Sequence, residues 1–230
     1  MTAAKKVRVY YLFVMKIGFL KISALPAALI AIMLIFQPPD IALPSLAAAV
    51  IHECGHLFAA RVLGIGLHSL EIGPLGATIK THGALISYGR EWALCAAGPG
   101  ANLISAALTY LLFADTAGFS SHGTAFNFFA VSLSLAALNL LPIDGFDGGR
   151  MLAASVCRTL GPRASAAMVD AGTLLSLLML WGFSVYLLLC HGSSLSLFVP
   201  LYFAVCFWRG TGDGAVVRSR TAGMRTAEIF

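Results

Sequence analysis

Charge is scarce in this chain. Only 11% of its 230 residues are Asp, Glu, Lys or Arg, where an ordinary soluble domain carries roughly a quarter. That excludes a typical water-soluble enzyme, and also a disordered tail, whose composition would be polar. Acids are fewer than bases, 10 against 15, but the bases are spread too thinly for a nucleic-acid reader, and no nucleic-acid partner is expected. Internal repeats, low-complexity stretches and C-x-x-C pairs are missing too. The five cysteines (Cys54, Cys95, Cys157, Cys190 and Cys206) are an odd number in or beside apolar sequence, which predicts reduced, buried small residues. Apolar residues fill the space, at 59% of the chain. A bilayer span takes about 20 of them, so the chain is expected to be one compact membrane domain.

Uncharged stretches run over 22 to 39, 41 to 51 (running on through polar residues to about 63), 92 to 114, 116 to 143 and 171 to 208. The last is too long for one span, and His191-Gly192-Ser193-Ser194 breaks it where a turn would fall. The predicted fold class is therefore an all-α polytopic membrane protein of six transmembrane helices. A short membrane-associated β-hairpin is expected between spans two and three, where Leu70 to Lys80 alternate around Gly73-Pro74. The organisation is a basic N-terminal arm (1–21), a six-span domain (22–209) and a short tail (210–230). Lys5, Lys6, Arg8, Lys16 and Lys21 before the first apolar run give it a superficial likeness to a signal peptide, but an uncleaved span is expected. Arg61, Lys80 and Arg90, then Arg150, Arg158 and Arg163, and the tail arginines all fall on one side of a six-span layout, whereas Asp40, Asp115 and His191 fall on the other. The positive-inside rule then places both termini in the cytoplasm.

The second apolar run contains His52-Glu53-Cys54-Gly55-His56, and ionisable residues inside a span are costly enough to point to function. Residues four apart share a helix face, so His52 and His56 can offer two imidazoles to one Zn²⁺. Glu53 lies about 100° round the helix, where its carboxylate can reach water at the metal. Cys54 points nearly the other way and is not counted as a ligand. A catalytic zinc needs a third protein ligand and an open position. Glu71, Asp115 and Asp170 stand singly at loops or span edges, but Asp144 and Asp147 lie in Asn139-Leu-Leu-Pro142-Ile-Asp144-Gly145-Phe-Asp147-Gly148-Gly149-Arg150. Pro142 and these glycines disfavour regular helix, and broken backbone at membrane depth is tolerated chiefly where it lines a cavity.

Three elements together resemble the site-2 proteases, the intramembrane zinc metalloproteases. They are H-E-x-x-H at 52 to 56, A-G-P-x-x-N at Ala97 to Asn102, and N-x-x-P followed by D-G-G at Asn139, Pro142 and Asp147 to Gly149. In brevity and layout the chain is similar to the branch that processes a membrane-bound pro-sigma factor during bacterial sporulation. The resemblance implies His52, His56 and Asp147 as ligands of one zinc, Glu53 as general base, and Asn139 beside the scissile peptide. It implies a packing and helix-positioning role for Gly98, Pro99 and Asn102, and a hairpin edge that accepts an unwound substrate strand. It also implies a bacterial cytoplasmic membrane, a membrane-tethered protein substrate, and room for an inhibitory or regulatory membrane partner. Two departures stand out: Gly145 replaces a second proline common in relatives, and Asp144 is an extra acid beside the expected ligand. With about 20 residues after the last apolar run, no nucleotide-binding regulatory domain or PDZ insertion is expected.

The expected activity is peptide-bond hydrolysis in or near a transmembrane segment, with water and substrate entering from the cytoplasmic side. The rival readings are an inactive membrane scaffold of the same fold that binds a client, and a transporter using the intramembrane His and Asp as an ion path.

Overall fold

The computed structural model describes residues 14–17, 20–23, 31–32, 34–65, 67–73, 76–81, 86–116, 119 and 123–191. Strands β1 (Val14–Ile17) and β2 (Leu20–Ser23) are followed by helix α1 (Pro39–Val62), strands β3 (Leu67–Gly73) and β4 (Gly76–Thr81), and helices α2 (Tyr88–Phe113), α3 (Thr124–Asn139) and α4 (Asp147–His191). The strands form one sheet in the order β1-β2-β3-β4. β1 and β2 pair antiparallel, as do β3 and β4, and β2 joins β3 in parallel with Leu20 opposite Leu70.

Helix α2 is central and packs against α1, α3 and α4, while α1 also packs on α3. Gly55 of α1 makes the first contact possible. A Cβ there would stand 2.5 Å from the Ala97 carbonyl oxygen and 2.8 Å from the Ala101 Cβ. Small residues let two membrane helices approach closely, and close approach supplies the dispersion energy that lipid-solvated helices otherwise lack. Pro44 lies inside α1, where it removes the N–H that would meet the Asp40 carbonyl. Asn127 of α3 replaces that donor, giving its Nδ2–H to the Asp40 oxygen at 2.9 Å. A sequence-imposed defect in one helix thus becomes a polar tie to another.

Helix α4 is two helices joined at Gly161, whose φ of 85° and ψ of 174° suit glycine alone. Pro162 follows, and a residue before proline is driven out of the helical region. Ser165, buried just past the break, donates to the Ala153 carbonyl at 3.0 Å and ties the two segments together.

The burial pattern is the reverse of a soluble core. Among the described residues the largest fully buried side chains are Asn102, Thr173, Pro99, Cys95 and Ser132, whereas Phe36, Leu111 and Leu189 are 76%, 75% and 79% exposed. Small and polar residues inside with large apolar ones outside is what a bilayer selects, because the surrounding solvent is itself apolar. Among the described residues three helices, α1, α2 and α4, are long and apolar enough to cross a membrane.

The expected all-α, six-span fold class is therefore corrected. Among the described residues there are three candidate spans, and the N-terminal arm contributes two strands to a four-stranded sheet. The expected first span began at 22, but Ile22 and Ser23 belong to β2. Among its described residues the run 116 to 143 holds the 16-residue helix α3, about 24 Å at 1.5 Å per residue, short of a ~30 Å hydrocarbon core. The stretch 144 to 170, expected as a loop, is helical from Asp147 onward. The sixth span and the tail lie outside the described residues. Nor are all the cysteines buried: Cys95 is, but Cys54 and Cys190 are exposed.

Candidate metal centre

Among the described residues, one group of His, Cys, Asp and Glu side chains is placed to hold a metal ion: His52, His56 and Asp147. The two histidines lie one helical turn apart on α1, both buried, and Asp147 is the first residue of α4. His52 Nε2 and His56 Nε2 are each 3.2 Å from Asp147 Oδ2, and 3.2 Å from one another. A tetrahedral zinc with bonds of about 2.0–2.1 Å has ligand atoms about 3.3 Å apart. The three donors thus have the spacing of one tetrahedral face, which leaves a fourth position for water or a carbonyl.

The far nitrogens of the rings decide which atoms face inward. His56 Nδ1 lies 2.8 Å from the Leu94 carbonyl oxygen of α2, and a carbonyl can only accept, so Nδ1–H donates and neutral His56 presents the Nε2 lone pair. With the ring neutral, an electron-rich nitrogen and a carboxylate oxygen face each other at 3.2 Å, an arrangement that a cation between them would stabilise. The donor set therefore fits zinc. His52 Nδ1 is 3.3 Å from Asn102 Nδ2 on α2.

Glycines make room for this arrangement. A Cβ on Gly98 would collide with His56 Nε2 and stand 2.9 Å from His52 Cε1, so α2 can pass over both imidazoles only without a side chain there. Asp147 is delivered by the turn after α3, where Ile143 N–H bonds the Leu141 carbonyl at 2.7 Å and Gly145 has φ 94°. A Cβ on Gly148 would strike the Leu140 carbonyl, and one on Gly149 the Ile143 carbonyl. The turn is anchored from the far side by Thr173, whose hydroxyl accepts the Asp144 N–H at 2.9 Å and donates to the Val169 carbonyl at 2.8 Å.

Other sequence candidates are placed differently. Glu53 is half-buried next to His52 on α1. Asp144 is exposed and its carboxylate is not part of the ligand group. Asn139 ends α3, and its amide donates back to the Leu135 carbonyl at 2.9 Å, a bond within its own helix and not to the three donors. The hairpin edge proposed to receive substrate falls at β3 and β4, whose backbone pairing alone is described. Sequence reasoning assigned Gly98 and Asn102 a packing and helix-positioning role and missed their contact with the histidines. A polar Asn in an apolar helix was the available signal.

No family model matches the chain, and no curated protein matches it. Among solved structures, the site-2 protease from Methanocaldococcus jannaschii is similar at 17% sequence identity with a TM-score of 0.57, over 86% of this chain and 94% of that one. The resemblance first visible in three short motifs thus extends through the backbone, and this chain has the fold of a site-2 protease.

Proposed function

We propose that the chain is an intramembrane zinc metalloendopeptidase that hydrolyses a peptide bond in or near a transmembrane segment of a membrane-tethered protein. The observation that carries this reading is the His52, His56 and Asp147 triangle with 3.2 Å edges, inside a bundle whose exterior is apolar. The fold shared with a site-2 protease supports it. His52, His56 and Asp147 would hold the ion, which when bound polarises a carbonyl and acidifies water.

The protein's own residues do the rest. Glu53 takes a proton from the attacking water as its oxygen joins the carbonyl carbon, and returns it to the amide nitrogen as the C–N bond breaks. Asn139 keeps a second N–H and its Oδ1 beyond the bond to Leu135, enough to hold an extended substrate backbone. The substrate helix must unwind first, because its carbonyls are engaged in intrahelical bonds. Helix-breaking residues near the scissile bond are thus favoured. Arg61 in the last turn of α1, Arg90 near the start of α2 and Arg150 in the first turn of α4 put positive charge at one end of the bundle, Arg150 lying 4.0 Å from Glu91. We assign that end to the cytoplasm and expect substrate entry there. A membrane-tethered transcription-factor precursor is the first substrate to try.

The test is cleavage of a transmembrane peptide with a Gly-Pro break, in proteoliposomes, by wild type and Glu53→Gln. Zinc-dependent cleavage lost in Glu53→Gln supports the peptidase. A zinc-loaded wild type that cleaves neither this peptide nor a panel of membrane-tethered precursors, with no phenotype for Glu53→Gln in the cell, favours a client-binding scaffold.

A further inference from the structure

Asn102 is fully buried in the middle of α2, and its amide is partnered on one side only. Its Nδ2 lies 3.3 Å from His52 Nδ1, while its Oδ1 has no hydrogen-bond partner among the described residues. In this arrangement the amide donates to Nδ1, so the proton of neutral His52 sits on Nε2, 3.2 Å from Asp147 Oδ2. That satisfies both nitrogens of His52 in a metal-free site. It is also the wrong tautomer for a ligand, because a metal needs the Nε2 lone pair and so requires the proton on Nδ1.

A half-turn of the amide resolves the conflict. The oxygen and nitrogen of an Asn amide are nearly isosteric, so rotation by 180° brings Oδ1 to Nδ1 in the same space. The orphaned oxygen then gains the Nδ1–H donor, Nδ2 takes the unpartnered place that Oδ1 leaves, and Nε2 is free to bind. His56 is different: its Nδ1 partner is the Leu94 carbonyl, which accepts only and leaves one tautomer available. Leu at position 102 would serve neither state of His52, and Asp would serve the metal-binding one.

Resting on the reading of this site as a zinc centre, we propose that Asn102 is a positioning residue that holds the His52 ring in both forms and, by turning its amide, stabilises the Nδ1-protonated tautomer that binds zinc. His56 is the pre-set ligand and His52 the switched one.

The experiment measures zinc affinity by chelator competition in the detergent-solubilised full chain, for wild type, Asn102→Leu and Asn102→Asp. Thermal unfolding of the metal-free forms and ¹⁵N NMR of the histidine side chains accompany it. Asn102→Leu is expected to weaken zinc binding about 10- to 100-fold, the usual range for removal of a ligand's outer hydrogen-bond partner. Asn102→Asp is expected to bind at least as tightly as wild type, and zinc should move the His52 proton to Nδ1 in wild type. Unchanged affinity in Asn102→Leu overturns the proposal, as does equal loss in Leu and Asp with equal drops in unfolding temperature, which marks packing alone. If Asn102→Leu does not fold, the Asp variant decides, and a roughly tenfold loss there overturns the proposal. A folded wild type that binds no zinc overturns the proposed function and this inference with it, whereas zinc binding indifferent to position 102 overturns this inference only.

Discussion

His56 donates its Nδ1–H to the main-chain carbonyl of Leu94 across the α1–α2 contact, at 2.8 Å. One hydrogen bond therefore sets the ring orientation and the tautomer of a candidate ligand before any ion arrives. It depends on how closely the helices approach, which Gly55 and Gly98 permit. The chemistry of the site and the packing of the bundle are thus linked.

Metal content tests the donor set most directly. Purified wild type is expected to hold one zinc per chain, lost in His52→Ala, His56→Ala and Asp147→Asn and on dialysis against a strong chelator. Asp144→Asn should retain it, since the Asp144 carboxylate lies outside the ligand group. Zinc lost with Asp144→Asn but kept with Asp147→Asn would reverse the assignment of the third ligand.

Glu53→Gln separates binding from chemistry. Its zinc content should match wild type, while cleavage of a transmembrane peptide falls by about 10²- to 10⁴-fold, the usual contribution of a general base. Retention of wild-type turnover would remove Glu53 from the mechanism.

Gly98→Ala adds one methyl group where it would meet both imidazoles. Overpacking of this kind costs about 1–3 kcal/mol, and relief requires the histidines to shift. Weaker zinc binding with a lowered unfolding temperature is expected, whereas Gly89→Ala, where a Cβ meets nothing within 4 Å, should change neither.

The tie between Asn127 and Asp40 can be read from a double-mutant cycle. Asn127→Ala leaves the Asp40 carbonyl without its side-chain donor and should destabilise the chain by about 1–3 kcal/mol. In a Pro44→Ala background the helix regains its own N–H, so the same substitution should cost measurably less. Additive losses in thermal unfolding would show that the two sites are not coupled.

Local spacing made two of the three candidate ligands legible. His52 and His56 share a face because helical periodicity is a property of five consecutive residues, and no tertiary information is needed to see it. Asp147 lies 91 residues beyond His56, and composition left it level with Asp144. Resemblance to a family favoured it, and the turn held by Gly145, Gly148 and Thr173 places it. The span count went astray for a related reason. Hydropathy registers that 22 to 39 and 116 to 143 are apolar, but not that Ile22 pairs in a sheet with Ile72 or that α3 occupies only 124 to 139.

What the amino-acid sequence determined alone was the solvent and the motif. A chain with so little charge and so much apolar surface belongs in lipid, and an H-E-x-x-H within an apolar helix points to metal. Tertiary structure decided the third candidate donor, the tautomer of His56 and the setting of Asn102. Each depends on atoms from different helices meeting within about 3 Å, the range in which hydrogen bonds form. Residue order does not reveal such meetings. They follow from how closely two backbones approach, and here that is governed by glycines whose contribution is the side chain they lack.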